Sequence, residues 1–264
     1  SDLYNPVNAI YEDAYGTLWV GTVEGGLNRK ERNSEDFTHY TREHGGLSHN
    51  SVSALTSDAD NHLWIGTWGG GLNLLDLKAP RQIQEVISSQ TSGGFPINFI
   101  GVLNYDPINK GIWIGANQGL YFYDPIKKEI TAPLPDKIAE NIHGCIGSII
   151  DKEGKLWVGC LEGVYIIDLH SRSSKGEFQY RHLNYKLDDP SSRLIEKITC
   201  FYEGKDGTLW LGSNGYGIYQ RKIDAQGKEQ FISYSTAQGL PNNSVRGILE
   251  DNNGNLWIST NNGL

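Results

Sequence analysis

The chain has 264 residues and a net charge of -8, from 23 Lys and Arg against 31 Asp and Glu. That length supports a buried core. Aromatic residues make up 11% of the chain and charged residues only 20%, a composition that excludes a disordered chain. Because binding to phosphate groups needs clustered Lys and Arg, the negative balance argues against nucleic acid as a partner. No run of about 18 apolar residues is present, so we expect no membrane contact by this segment.

A repeat centred on tryptophan runs along the chain. Six segments end in Leu-Trp or Ile-Trp, and these Trp residues are 45, 49, 44, 53 and 47 positions apart. They are Trp19, Trp64, Trp113, Trp157, Trp210 and Trp257. In four segments an Asp stands six residues before the Trp, as Asp13 does before Trp19. The third segment has one extra residue between the two, and the fifth has Gly204 at the Asp position.

Each repeat predicts four short strands. In the first repeat, strands are predicted at Val7–Glu12, at Leu18–Thr22, from Gly26 and near Phe37–Tyr40, with an Asp-x-x-Gly turn between the first two. No helical periodicity interrupts the pattern. Four-stranded units of about 40 to 50 residues are typical of a β-propeller, so we predict an all-β fold of four-stranded antiparallel blades.

The repeat also predicts the domain organisation. We expect a single β-propeller domain or fragment over residues 1–264. The blades are predicted at about 1–48, 49–94, 95–142, 143–192 and 193–241, with a partial blade at 242–264. About five and a half blades are present, which indicates an incomplete ring or part of a seven-bladed propeller. A six-bladed ring whose last blade lacks its outer strands is the alternative.

Residues 239–264 closely resemble the two-component regulator propeller repeat, and so do residues 7–28 and 51–73. The resemblance extends over all six units. It implies the periplasmic sensor region of a hybrid two-component histidine kinase from Bacteroidetes. In that family two seven-bladed propellers precede an immunoglobulin-like β-sandwich, a transmembrane helix and a kinase, and the usual signals are oligosaccharides.

The resemblance therefore implies a periplasmic ligand-sensing propeller that detects an oligosaccharide and signals to an attached histidine kinase by phosphorelay. Its partners would be the ligand, the rest of the receptor chain and, as a candidate assembly, a second copy in a homodimer. Two other functions remain open. A protein-interaction scaffold would expose a large apolar patch on one face. A propeller lyase would gather His, Tyr, Arg or acidic residues at one end of the channel.

Ligands of propellers usually bind at one end of the central channel, where the loops between strands two and three meet the loops between blades. Residues shared by all repeats are structural, so the variable residues in these loops are the candidates. The predicted ligand-binding residues are Trp68, Glu24, Asn117, Gln118, Tyr216, His49, His143 and Arg193. The wider set of variable loop residues includes Phe95 and Glu162.

Trp68 is the most informative candidate because it alone of the seven Trp lies outside the repeated position. An exposed indole offers a flat apolar face on which the C–H face of a sugar ring can stack, while amides and carboxylates bond the hydroxyls. The alternatives are that Trp68 packs on a neighbouring blade or another domain, or that these loops form a protein interface.

No catalytic residue, cofactor or metal site is predicted. Asp58 and Asp60 resemble the start of a calcium loop, but no Glu follows at the twelfth position. The sequence has no His-Glu-x-x-His and no Gly-x-Ser-x-Gly motif. The three cysteines, Cys145, Cys160 and Cys200, occupy positions that hold small residues in other repeats, so we predict small core residues. A bridge between Cys145 and Cys160 across a hairpin is the less favoured alternative.

Overall fold

Every sheet is an antiparallel meander in which strands adjacent in sequence are hydrogen-bonded neighbours. The computed structural model describes residues 5–135, 138, 141–183 and 197–264. These residues form 22 strands, with a short 3-10 helix at Thr236–Gln238. The strands make five four-stranded sheets and one two-stranded sheet. The predicted all-β propeller fold with four-stranded antiparallel blades is therefore confirmed, as is the number of blades.

Contacts divide the chain into two compact units, Ser1–Pro133 and Leu134–Leu264. The first unit holds three blades. Their strands are β1 Val7–Glu12, β2 Leu18–Thr22, β3 Leu27–Lys30, β4 Phe37–Tyr40; β5 Val52–Ser57, β6 His62–Thr67, β7 Leu72–Asp76, β8 Gln84–Ile87; β9 Ile100–Asp106, β10 Gly111–Ala116, β11 Leu120–Asp124 and β12 Glu129–Thr131. The strand bounds predicted for the first blade agree with β1, β2, β3 and β4.

The second unit holds two full blades and one pair of strands. They are β13 Gly147–Ile150, β14 Lys155–Cys160, β15 Gly163–Asp168, β16 Tyr180–Leu183; β17 Ile198–Glu203, β18 Leu209–Ser213, β19 Ile218–Ile223, β20 Glu229–Tyr234; and β21 Val245–Glu250 with β22 Leu256–Thr260. The part of the chain that the structure describes contains no helix with the length and hydropathy of a membrane span. The prediction of one domain over residues 1–264 stays a prediction.

In five of the six repeats an Asp joins the first turn to the Trp of the repeat, which is buried in the first four repeats and half exposed in the last. In the first blade, one carboxylate oxygen of Asp13 accepts the backbone N–H groups of Tyr15 and Thr17, which closes the turn. The other oxygen accepts the indole N–H of Trp19 at 2.8 Å. The same indole-to-carboxylate bond, 2.7 to 3.1 Å long, joins four further pairs: Trp64 to Asp58, Trp113 to Asp106, Trp157 to Asp151 and Trp257 to Asp251. A buried indole N–H needs an acceptor, so this bond explains the spacing of Asp and Trp.

In the fifth blade Gly204 stands at the position of this Asp, beside two other carboxylates. A Cβ on Gly204 would lie 2.8 Å from Oδ1 of Asp206 and 3.3 Å from Oε2 of Glu250. A third carboxylate there would meet two others of the same charge. Asp206 closes the turn instead by accepting the backbone N–H of Thr208 at 2.8 Å.

Adjacent blades within each unit pack through the Gly that follows the Trp by two residues. A Cβ on Gly21 would lie 2.5 Å from Cγ1 of Val52, the first residue of the next blade. A Cβ on Gly66 would meet Cγ2 of Ile100 at 2.6 Å. Only a residue without a side chain permits this approach, because core packing leaves no space for a further methyl group.

Candidate functional site

Two neighbouring loops of the first unit are joined at the edge where strand two of each blade ends. Trp68 follows β6, and its backbone N–H donates to the carbonyl of Ser51 at 2.8 Å. Trp68 also forms an isolated antiparallel bridge with Phe99, which precedes the next blade. The N–H groups of Gly69 and Gly71 both donate to the carbonyl of Asn98. The loop of the second blade is therefore fixed to the start of the third.

The bridge places two exposed aromatic side chains next to each other. Residues directly opposite in an antiparallel pair project to the same face, with Cβ atoms about 4.5–5.5 Å apart. Trp68 is 54% exposed and Phe99 is 51% exposed. About half of each aromatic residue is therefore open to solvent, and the bridge places the two side chains on one face.

Phe99 was not among the predicted residues, although the repeat contains the signal for it. The residue just before the first strand is Pro6, Ser51, Lys197 or Ser244 in other blades, and only this blade has an aromatic residue there. Phe95, which was among the wider set, instead packs on Tyr121 with ring centroids 5.1 Å apart.

Three more predicted residues lie around this aromatic pair. The backbone N–H of Asn117 donates to the carbonyl of Phe99 at 2.8 Å, and the side chains of Asn117 and Gln118 are exposed. The half-buried ring of His49 lies against the Trp68 loop, because a Cβ on Gly69 would be 2.7 Å from its Cδ2. We call His49, Trp68, Phe99, Asn117 and Gln118 the Trp68 rim.

The Trp68 rim offers hydrogen-bonding groups without formal charge. The loop segments 67–71, 98–99 and 116–119 contain no Lys, Arg, Asp or Glu. His49 Nδ1 accepts the backbone N–H of Ser51 at 3.0 Å, so the neutral imidazole carries its proton on Nε2. Amides and a neutral imidazole beside an apolar surface suit an uncharged ligand rich in hydroxyl groups.

The second unit brings His143 together with Glu162. Glu162 Oε2 accepts the backbone N–H of His143 at 3.1 Å, and Oε1 lies 2.9 Å from His143 Nδ1. The carbonyl of Glu162 accepts Nε2–H of His182 at 3.0 Å. The His182 ring stacks on Tyr165 with centroids 4.0 Å apart. Three polar residues of one blade therefore meet at the loop between β14 and β15.

The electrostatics of this cluster indicate a structural role. Burial lowers the pKa of His182, against the opposing influence of Glu162. Burial also raises the pKa of the Tyr165 hydroxyl, which is far from solvent with the residue only 2% exposed. A neutral imidazole bonded to a backbone carbonyl and a buried phenol hold the loop in place. These two buried groups do not present an acid and a base to a substrate.

The remaining predicted residues are not brought into these two groups. Glu24 is exposed, and its backbone N–H donates to Oδ1 of Asn5 at 2.9 Å. Tyr216 is 40% exposed, and its backbone N–H donates to the Ser213 hydroxyl. Arg193 lies outside the described residues, so its place in the site stays a prediction.

Two cavities lie at the opposite edge of the sheets, where strand one turns into strand two and strand three into strand four. One, of about 480 Å³, is lined by residues of blades two and three that include Trp64, Glu85 and Tyr123. The other, of about 330 Å³, lies between blades four and five and includes Arg221 and Glu229. Neither contains a predicted ligand-binding residue.

The segment that resembles the start of a calcium loop has a structural use. Asp58 accepts the backbone N–H groups of Asp60 and His62 through Oδ1 and the indole N–H of Trp64 through Oδ2. Within the described residues, no group of three or more His, Cys, Asp or Glu side chains is placed to hold a metal ion.

Four-stranded blades, Asp-to-Trp bonds and variable loops at one edge define a β-propeller with a candidate recognition surface. Four segments match the family model described as two component regulator propeller: residues 1–24, 46–69, 194–215 and 239–262. Four of the six repeats therefore match the two-component regulator propeller, which confirms the resemblance inferred from the repeat.

Solved structures share the fold at low sequence identity. The extracellular domain of a protein described as a hybrid two-component system from B. thetaiotaomicron is 21% identical with a TM-score of 0.75, over 97% of this chain and 32% of that one. PorZ, described as a surface component of the type-IX secretion system of Porphyromonas gingivalis, is 18% identical with a TM-score of 0.70, over 98% and 38%. Virginiamycin B lyase from Staphylococcus aureus is 16% identical with a TM-score of 0.64, over 96% and 76%.

These similarities show the propeller fold. The chain spans about a third of the length of the B. thetaiotaomicron protein, which has the highest TM-score of the three. No curated protein sequence matches the chain significantly.

Proposed function

We propose that this chain is a ligand-sensing propeller in the periplasmic part of a hybrid two-component sensor kinase, and that its ligand is an uncharged oligosaccharide. The observation that carries the proposal is the family of the repeats, which match the two-component regulator propeller in four segments. The similar extracellular domain from B. thetaiotaomicron supports the same role and the same side of the membrane. The chain itself would bind a signal and carry out no chemistry.

The Trp68 rim is the proposed binding surface. A pyranose ring presents a C–H face that stacks on the exposed rings of Trp68 and Phe99. The amides of Asn117 and Gln118 donate to and accept from the hydroxyl groups at the edge of the sugar, and His49 adds a donor. The absence of charged side chains from the three loop segments favours an uncharged sugar over an acidic or basic ligand.

Ligand binding at this rim would link two blades. Trp68 belongs to the loop after β6, and Asn117 follows β10 of the next blade. An oligosaccharide that contacts both favours the arrangement of blades in which both contacts form. Such a preference biases a two-state receptor, and the attached β-sandwich and kinase would respond to the bias. A receptor homodimer is one assembly in which this change reaches the kinase.

Isothermal titration calorimetry tests the proposal with defined probes. We would titrate xylohexaose, cellohexaose, maltohexaose and arabinohexaose into the chain, and into the full extracytoplasmic region that contains it. We expect saturable binding of at least one neutral oligosaccharide, lost in Trp68→Ala. A Glu85→Gln change in the cavity at the opposite edge is the control and should leave binding unchanged. Absence of binding by a broad panel of neutral glycans to the folded region would reject the ligand assignment.

A protein-interaction scaffold is the second candidate, favoured by the same exposed aromatic pair. Trp and Phe are enriched at the centres of protein interfaces. Under this function the purified extracytoplasmic region would bind another protein through the Trp68 rim and ignore glycans. Crosslinking from a photoreactive residue at position 98, next to Phe99, distinguishes the two. A protein adduct that forms equally well in the presence of every sugar supports the scaffold.

A further inference from the structure

The sulfur atoms of Cys145 and Cys160 lie 3.1 Å apart. This is closer than the roughly 3.5–4.0 Å at which non-bonded carbon atoms pack. Cys145 stands just before β13 and Cys160 ends β14, and both side chains are buried. The two residues are 15 positions apart in the sequence and face each other across the hairpin.

The pairing of the other blades shows that this position suits a covalent link. The equivalent residues are direct partners in antiparallel ladders: Val7 with Thr22, Val52 with Thr67, Ile198 with Ser213 and Val245 with Thr260. Directly opposite residues in such a ladder have Cα atoms about 4.5–5.5 Å apart. Disulfides need Cα separations of about 4.4–6.8 Å, so the equivalent pairs of the other blades have the spacing that a disulfide needs.

Cysteine also replaces a hydroxyl that locks the loop in other blades. The Thr22 hydroxyl donates to the carbonyl of Gly26 and accepts the N–H of Gly25. Thr67, Ser213 and Thr260 make the corresponding bonds. In the fourth blade Cys160 pairs directly with Gly163, so the loop contains only Leu161 and Glu162. The hydroxyl lock is absent from this blade, and a second cysteine stands opposite the first in the same blade.

We propose that Cys145 and Cys160 form a disulfide in the functional protein, which links the first and second strands of the fourth blade. The oxidant is a low-molecular-weight or protein disulfide. The thiolate of one cysteine attacks the donor disulfide, whose S–S bond breaks and releases one thiol. The second cysteine thiolate then attacks the mixed disulfide and releases the other thiol. The two cysteines lose two protons and two electrons, and the donor is reduced to two thiols.

The bond would steady a candidate recognition loop. His143 lies two residues before Cys145, and Glu162 lies two residues after Cys160. A covalent link between the cysteines therefore holds the contact of 2.9 Å between His143 and Glu162 in register. The hydrogen bond with Cys145 and burial raise the pKa of the Cys160 thiol, which keeps it protonated in the folded chain. We therefore infer that exchange takes place during folding, before the thiols are buried.

Counting free thiols tests the disulfide proposal without any ligand. A negative result therefore rejects the disulfide and leaves the glycan assignment untouched. The chain is refolded from the reduced state with oxidised glutathione, then alkylated with iodoacetamide in guanidinium chloride and weighed by intact mass spectrometry. We expect one alkylated cysteine, Cys200, and a tryptic fragment in which Cys145 and Cys160 are joined. In Cys200→Ala no alkylation is expected, and in Cys145→Ala the thiol of Cys160 becomes reactive.

Thermal unfolding supplies a second measurement. Reduction of the refolded chain should lower its Tm by at least about 4 °C, because a disulfide restricts the unfolded chain. The double variant Cys145→Ala, Cys160→Ala should show no change on reduction. Three alkylated cysteines in a refolded chain with a cooperative unfolding transition would overturn the proposal, and so would a bridge that includes Cys200.

Discussion

Asp151 accepts the indole N–H of Trp157 through Oδ2 at 2.7 Å, while its Oδ1 accepts the backbone N–H groups of Glu153 and Lys155. One carboxylate therefore accepts the hydrogen bonds both of a tight turn and of a buried indole N–H. Trp157 is fully buried and packs in the core that joins the fourth and fifth blades. The turn that starts a hairpin is in this way tied to the core beneath it.

Replacing this carboxylate should lower stability markedly. We expect Asp151→Ala to reduce the free energy of unfolding by about 2–4 kcal/mol, because it leaves a buried indole N–H and two turn N–H groups without their charged acceptor. Urea unfolding followed by tryptophan fluorescence measures the change.

Asp224→Ala is the matched control. Asp224 closes the same kind of turn by accepting the N–H groups of Gln226 and Lys228, but it bonds no Trp. Its loss should cost about 1 kcal/mol or less, since water can replace it at the surface. Equal losses in the two variants would show that the indole bond contributes nothing.

Substitutions at two glycines of one loop distinguish the cost of backbone strain from the cost of steric conflict. Gly215 and Gly217 both have positive φ, 103° and 83°. A Cβ on Gly217 would lie 2.1 Å from the carbonyl oxygen of Tyr234, whereas a Cβ on Gly215 would meet nothing within 4 Å. Gly215→Ala should cost about 1–2 kcal/mol of stability from strain alone. Gly217→Ala should cost at least about 1 kcal/mol more, measured by urea unfolding, and equal costs would contradict the observed approach.

Trp68 should matter for binding and hardly for folding. Its side chain is exposed, so Trp68→Ala should change the free energy of unfolding by less than about 1 kcal/mol. If the proposed surface binds a glycan, the same change should weaken binding at least about tenfold, because aromatic anchors dominate such contacts. Phe99→Ala should act in the same direction.

Phe37→Ala provides the control for exposed aromatic residues. Phe37 is 43% exposed on β4, away from the Trp68 rim. Its loss should leave glycan affinity as it is in the unmodified chain. Weaker binding in Phe37→Ala by the same factor as in Trp68→Ala would locate the ligand elsewhere.

The buried imidazole of His182 predicts a pH dependence of stability. Burial lowers its pKa in the folded state below the value of 6.5 expected when it is exposed. The unfolded chain therefore binds more protons in this range, and stability falls as the pH drops below about 6.5 towards the folded pKa. The contribution of the neutral, buried imidazole to the free energy of unfolding is fully present above pH 6.5.

His182→Gln should remove this part of the pH dependence, since an amide can still donate to the carbonyl of Glu162 but does not titrate. Urea midpoints at pH 7.5 and pH 5.5 measure the difference between the variant and the unmodified chain. We expect the unmodified chain to lose more stability on acidification. An identical loss in both proteins would show that His182 is not desolvated.

Much of the fold was predictable because its determinants are local. Asp13, Gly16 and Trp19 lie within seven residues, so the turn, the strand and the buried ring follow from one short segment. The repetition of that segment then predicts the blades. The same comparison of repeats identified Trp68 as an unusual loop residue, and it predicted burial for Cys145 and Cys160, which are buried.

What the sequence by itself determined is therefore the blade: its strands, its turns and the residues that depart from the repeated pattern. Only the tertiary structure decided which of the residues that depart from the repeated pattern are in contact. Phe99 stands beside Trp68 because an antiparallel bridge joins the loop after β6 to the residue before β9. Contacts of this kind depend on the packing of segments far apart in the chain, and a local pattern carries no information on their distance.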